Sequence, residues 1–226
     1  MVSLAVRWWV DGVFVDAPSS APVHVVGVRG RPDRAAARRT IRAALVAALA
    51  QATGLPSERI ALCGAPGEAP YALLDGARRL SLAISHDGDL SVAALRLDGG
   101  AVGVDVMQVT EMPDWEAVAR DYLGPACAAA LARVPTSARA AAFARAWSER
   151  EARLKCRGLP LGEWRAEDAS LALACRCLSL ALPDGYVGSL AEPADQVRLS
   201  KTYLSAKQMG PYTESCERPG SANTGQ

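Results

Sequence analysis

Glu151 and Lys155 stand four residues apart in the run Trp147-Ser148-Glu149-Arg150-Glu151-Ala152-Arg153-Leu154-Lys155. Read as a helix, this segment puts Phe143, Trp147, Glu151 and Lys155 on one face, so an apolar stripe runs directly into a carboxylate and an ammonium. Two chemistries are open to such a pair. It can be a surface ion pair, Glu first, contributing roughly 0.2 to 0.5 kcal/mol. Alternatively the position needs a compact ammonium, because Lys155 is the only lysine before residue 201 in a chain that otherwise uses arginine for positive charge. Five arginines, Arg31, Arg34, Arg38, Arg39 and Arg42, crowd into twelve residues. They form either a solvated face or a docking site for a phosphorylated ligand. Asp105 closes the apolar run Val102-Gly103-Val104, where an acid is either a helix N-cap or a group with a task. Ser85-His86 precedes Asp87-Gly88-Asp89 and reads as part of a turn.

Helices and short strands must position these groups. Residues 4 to 15 and 22 to 28 read as strands, followed by a helix with Asp33 as N-cap that runs to Ala52 and stops at Thr53-Gly54. Ile41, Leu45 and Leu49 form its apolar face. Residues 80 to 97 read as two strands interrupted at Ser85 to Asp89, and residues 101 to 106 as a further strand. Gly103 inside that strand calls for close approach of another backbone or a ligand. A helical region from Trp115 to Ala132 breaks near Gly124-Pro125, and the Glu151 helix ends at Arg157 before Gly158. Residues 169 to 181 and 184 to 192 read as strands joined at Pro183-Asp184-Gly185. Helix followed by antiparallel strands, twice over, predicts an α+β protein of two similar halves. The boundaries fall at residues 1–104 for the first half and 105–199 for the second. Residues 200–226 form a tail without apolar period, expected to be disordered.

Composition narrows the function class. Half the residues are hydrophobic but only 5% aromatic, so the core must be built from Ala, Leu and Val. A net charge of +1 gives no global attraction to nucleic acid or to an acidic membrane. Six scattered cysteines and two histidines, with no CxxC, suggest neither a zinc cluster nor a disulfide framework. No stretch approaches about 18 uninterrupted apolar residues and no leader pattern opens the chain, so a reduced, soluble, cytoplasmic monomer is expected.

Taken in order, Ile84-Ser85-His86, Val102-Gly103-Val104-Asp105, Trp147-Ser148-x-Arg150-Glu151-Ala152-x-x-Lys155, Arg157-Gly158-Leu159 and Gly185-Tyr186-Val187 resemble the 4′-phosphopantetheinyl transferases. The likeness is to the larger, single-chain pseudodimeric type that activates surfactin synthetase, and it covers about residues 5 to 192. The resemblance implies an active site at the interface between the halves. It implies transfer of the phosphopantetheine arm of coenzyme A to a serine of an apo acyl or peptidyl carrier protein, with release of adenosine 3′,5′-bisphosphate. It further implies a magnesium ion held by Asp105 and Glu151, because such transfers depend on positioning and charge neutralisation. Glu151 would also take, or orient the taking of, the serine proton, and Lys155 would face the transferring phosphate. Ser85 and His86 would bind the nucleotide end, His86 toward the 3′-phosphate, with Arg39 as the best-matching arginine and Arg31 or Arg42 as substitutes.

Three departures qualify the resemblance. Met107 stands where the family commonly has a second strand acid, and a thioether is a poor magnesium ligand. The metal shell would then rest on two carboxylates and water, with Gln108 or Glu111 as less suited substitutes. Arg150 replaces a usual lysine. The basic element before the first hairpin appears as Gly67-Glu68-Ala69-Pro70, where Glu68 would repel phosphate if it points inward. Met107 and Glu68 motivate an alternative, a protein of the same fold that binds coenzyme A or a carrier with little catalysis. A non-catalytic module whose arginine helix binds RNA or an acidic partner is disfavoured by balanced charge and the lack of an aromatic stacking surface.

Overall fold

Strands β1 (Arg7–Val10), β2 (Val13–Phe14) and β3 (Val23–Arg29) lead into helix α1 (Arg34–Thr53), and β4 (Ile60–Cys63), β5 (Tyr71–Leu74), β6 (Arg78–Asp87) and β7 (Leu90–Arg96) follow. The chain then runs through β8 (Gly103–Gln108), α2 (Trp115–Val118), a π-helical stretch Ala119–Leu123, α3 (Pro125–Ala132), α4 (Thr136–Arg157), α5 (Ala169–Ala174), β9 (Cys175–Ser179) and β10 (Tyr186–Pro193). This computed structural model describes residues 3–16, 21–30, 33–64 and 68–194. Arg31, Gly67 and the tail from residue 200 lie outside the described residues.

The first seven strands form one sheet in the order β2-β1-β3-β7-β6-β5-β4, antiparallel except where β1 runs beside β3. Helix α1 covers one face of it. Asp33 caps the helix by accepting from the Ala35 and Ala36 amides at 3.0 Å each, and Gly54 closes it at φ 72°. Such an N-cap is worth about 1 kcal/mol. Ile41, Ala44, Leu45, Ala48 and Leu49 bury fully against Val26, Val28, Leu80, Leu82 and Leu95. Alternate residues of the same strands, Val25, Ala83, Val92 and Ala94, point to the opposite face and pack on Val104, Val106 and Leu190. Those three belong to the second sheet, which is antiparallel in the order β8-β10-β9. Helix α4 covers its outer side, with Ala152 and Cys156 against Cys175 and Ala191. Among the described residues, no helix is long and apolar enough to cross a membrane.

Gly103 answers to a backbone rather than to a ligand. A Cβ built on it would collide with the Ala152 carbonyl and the Cys156 amide of α4, so this glycine sets how closely β8 approaches the helix that carries Glu151 and Lys155. Gly103→Ala is therefore expected to cost about 3 kcal/mol, the upper end for overpacking, because backbone groups cannot rotate aside. Urea unfolding checks it; a loss below about 0.5 kcal/mol would mean that α4 can shift freely.

Two sequence expectations need correction. Residues 169 to 174 are helical, α5, and only residues 175 to 179 are strand. The alternation of Leu and Ala there imitates a strand, but both are strong helix formers, and Glu167 and Asp168 lie in the turn that opens the segment. Ser85 and His86 are not in a turn: β6 continues to Asp87, and the reversal falls at Gly88, φ 55°.

Candidate functional site

The two sheets bring the separated motifs to one cleft of about 430 Å³. Arg34 and Arg38 from the first turns of α1, with Ser85 and His86 from β6, line one side. Asp105 and Met107 from β8, with Trp147, Glu151 and Lys155 from α4, line the other. The four-residue spacing read from sequence places the last three along one face of α4, and Met112 adds an apolar rim.

Asp105 is the hub. It is 5% exposed, and its Oδ1 accepts from Lys155 Nζ at 2.6 Å and from Ser85 Oγ at 2.7 Å. Lys155 Nζ also donates to Ser85 Oγ at 3.4 Å and lies 4.0 Å from Glu151 Oε2. The Val106 amide donates to Ser85 Oγ at 3.3 Å, which stitches β6 to β8 at this point. On the far side of β8, Asp105 pairs in register with Ser189 of β10, whose hydroxyl meets the fully buried Ser148 hydroxyl at 2.9 Å. Strand and helix are thus fixed to each other on both sides of the acid.

Burial decides the proton affinities. It pushes the Asp105 carboxyl above the usual carboxylate range even though Lys155 and Ser85 pull it down. Glu151 is likewise raised, by burial first, with the Lys155 charge opposing and the Asp105 charge adding. His86 is shifted the other way: burial lowers it, and Arg38, Arg34 and Lys155 lower it further. Its Nδ1 sits 2.6 Å from Ser91 Oγ, its cross-strand neighbour on β7, which fixes the ring. The cleft therefore holds a neutral imidazole among cations on one wall and two reluctant carboxylates sharing an ammonium on the other. Such a surface takes a polyanion, and a phosphate placed there would draw a proton onto His86.

Of the residues singled out from sequence, Ser85, His86, Asp105, Glu151 and Lys155 line this one cleft. Arg39 is exposed and does not line it, and Arg31 lies outside the described residues. Arg42 is engaged elsewhere, donating to the Leu62 carbonyl at 2.6 Å. The arginines of the cluster that do line the cleft are Arg34 and Arg38. Arg150, at the usual lysine position, points away from the cleft and holds Asp168 at 2.9 Å and the Gly162 carbonyl at 3.1 Å. Sequence also missed a clip that joins the sheets, in which Tyr186 Oη donates to Asp89 Oδ1 at 2.6 Å. Beside it the Gln108 amide donates to Asp87 Oδ2 at 2.7 Å.

A second cavity of about 400 Å³ adjoins the first. Ile84 and Lys155 line both, and Pro70, Leu82, Leu159 and Glu68 complete the second. Glu68 is thus among the residues of this neighbouring cavity and not among those of the first.

Asp105 and Glu151 suit a hard cation. Among the described residues no group of three or more His, Cys, Asp or Glu could hold a metal ion, and Met107 beside Asp105 offers no oxygen. Two carboxylates alone match the habit of magnesium, which completes its shell from water and substrate phosphates.

Comparison with known proteins adds one finding. The family model of the 4′-phosphopantetheinyl transferase superfamily matches residues 101–176. That segment carries Asp105, Glu151 and Lys155 and leaves out Ser85, His86 and the arginines of α1. No curated protein matches the chain.

Proposed function

We propose that the chain transfers the 4′-phosphopantetheine moiety of coenzyme A to a serine hydroxyl of an apo acyl or peptidyl carrier protein. The superfamily match supports phosphopantetheine transfer in general. The observation that carries the specific reading is the opposition, across one cleft, of Arg34, Arg38 and His86 to the Asp105-Lys155-Glu151 cluster. In this reading the chain is a pseudodimer of two similar halves, each a long helix on a largely antiparallel sheet, with the active site between them.

Arg34, Arg38 and His86 bind the phosphorylated nucleotide end, and Ser85 orients Asp105. The diphosphate lies toward Lys155. The carrier serine oxygen bonds to the phosphorus that bears the arm, while the bond from that phosphorus to the bridging oxygen breaks. Glu151 accepts the serine proton, a role its raised affinity suits. Lys155 donates to the oxygens that gain charge as adenosine 3′,5′-bisphosphate leaves. Asp105 and Glu151 would hold a magnesium ion, which supplies neutralisation of the diphosphate charge.

The nucleotide wall is tested by calorimetry with coenzyme A and its 3′-dephospho form. Coenzyme A is expected to bind about tenfold or more tightly, each charge-assisted contact contributing about 1.5 to 3 kcal/mol. The preference should vanish in an Arg34→Ala, Arg38→Ala double variant. Because His86 is held neutral when free, binding should take up a proton above its free pKa, and affinity should rise as pH falls toward that value. Titrations in buffers of different ionisation enthalpy measure the uptake. Equal affinity for the two forms in the unaltered protein would remove this reading of the wall.

A further inference from the structure

We propose that Tyr186 is a positioning residue for the transfer, a latch that holds the end of β6 carrying His86 at a fixed reach from β8 and Lys155. The proposal rests on the transferase reading and concerns what keeps the two walls of the cleft at one span. His86 belongs to the first sheet and Asp105 to the second, so no backbone ladder sets the distance between them. Side-chain bonds set it instead. Ser85 is tied to Asp105 at 2.7 Å, and Asp87 accepts from the Gln108 amide at 2.7 Å. Tyr186 Oη donates to Asp89 Oδ1 at 2.6 Å and accepts from the Asp89 amide at 3.2 Å. The anchored residues alternate along the hairpin, and His86 stands between two of them. Tyr186 and Gln108 are register partners on β10 and β8, so the two outer anchors come from one end of the second sheet.

The turn is shaped to receive them. A Cβ on Gly88 would collide with the Tyr186 hydroxyl and the Gln108 side chain, so the hairpin closes over both only with glycine at this position. Tyr186 itself does not line the cleft, and its effect on a ligand must pass through the hairpin. With the latch closed, a ligand whose 3′-phosphate meets Arg34, Arg38 and His86 finds Lys155 already at the right distance for its diphosphate. With the latch removed, binding must first order the hairpin tip, and that cost falls on ligands that touch both walls.

Calorimetry with coenzyme A and its 3′-dephospho form tests the latch in full-length variants shown by thermal unfolding to be folded at the titration temperature. The dephospho form still meets Lys155 but brings no phosphate to the His86 wall. In Tyr186→Phe the preference for coenzyme A should shrink about fivefold, the scale of one net hydrogen bond, while affinity for the dephospho form stays within about twofold. Asp89→Ala should do the same, and the double variant should shrink the preference no further than either single one. Arg29→Ala removes a partner of Asp89 that lies within the first sheet, at 3.3 Å, and should leave the preference within about twofold. An unchanged preference in Tyr186→Phe, or equal weakening of both ligands, would overturn the latch and leave the transferase reading in place. If the unaltered protein shows no preference for coenzyme A, the reading of the wall falls and the latch falls with it.

Discussion

Glu151→Gln is expected to lower the rate of transfer by about 10²- to 10⁴-fold while making the protein more stable at neutral pH. The first effect follows from removing the group that accepts the serine proton. The second follows from linkage. Glu151 has a folded-state pKa above its unfolded value, because burial disfavours its charge more than Lys155 restores it. Between those two values the folded state binds more protons, so this residue's favourable contribution is present at low pH and is lost as pH rises through the raised value. At neutral pH the ionised carboxylate is a cost, which glutamine, of the same shape and uncharged, does not carry. Thermal unfolding should therefore show the variant above the parent at pH 7, with the difference disappearing below the unfolded pKa of glutamate. An inactive variant that is also less stable would mean that Glu151 supports the fold and not the chemistry.

Lys155 is expected to behave in the opposite sense. Lys155→Met removes the ammonium shared by two carboxylates and leaves the buried Asp105 with Ser85 as its remaining side-chain donor. Breaking a fully buried pair by deleting one partner costs about 3 to 5 kcal/mol; with the Lys155 side chain 31% exposed, about 1 to 2 kcal/mol is expected. The Asp105 proton affinity should climb further, which carboxyl resonances would report. Transfer should fall about 10²- to 10³-fold, as when a preorganised donor to a developing anion is lost. Lys155→Arg separates the roles. It keeps the charge and most of the stability, but its planar fork fits poorly where β8 and α4 are drawn together at Gly103, so activity should still fall by about tenfold or more. Full activity with arginine would show that charge alone suffices.

Much of this machinery could be read before any fold was known, because it depends on local rules. Asp33 and Gly54 bound α1 by cap chemistry, and the phase of Phe143, Trp147, Glu151 and Lys155 put the acid and the ammonium on one side of α4. Gly103 was informative because a missing Cβ in an apolar strand signals close approach of another backbone or a ligand, and the backbone of α4 is what it meets. What failed depended on helix phase and on distant packing. At about 100° per residue, Arg34 and Arg38 fall on the same stripe as Ile41 and Leu45, which are buried on the sheet, whereas Arg39 is turned about 140° from Arg34. The buried stripe therefore selects the cleft arginines, and motif position alone selects Arg39, which does not line the cleft. The Ser85 to Asp105 bond and the Tyr186 to Asp89 clip join different sheets, and no local pattern encodes how two sheets dock. Residues 169 to 174 show a different limit: their alternation matched a strand, and helix propensity prevailed because the segment is short and largely exposed.

The most direct measurement is the intact mass of apo acyl and peptidyl carrier proteins after incubation with the protein, coenzyme A and magnesium, with adenosine 3′,5′-bisphosphate measured in the same samples. At least one carrier should gain a single phosphopantetheinyl group on its serine, with one nucleotide released per group transferred and both products forming about 10²- to 10⁴-fold more slowly with Glu151→Gln. Carriers that all stay unmodified while coenzyme A binds to the cleft, or a carrier modified equally well by Glu151→Gln, would contradict the proposed transfer.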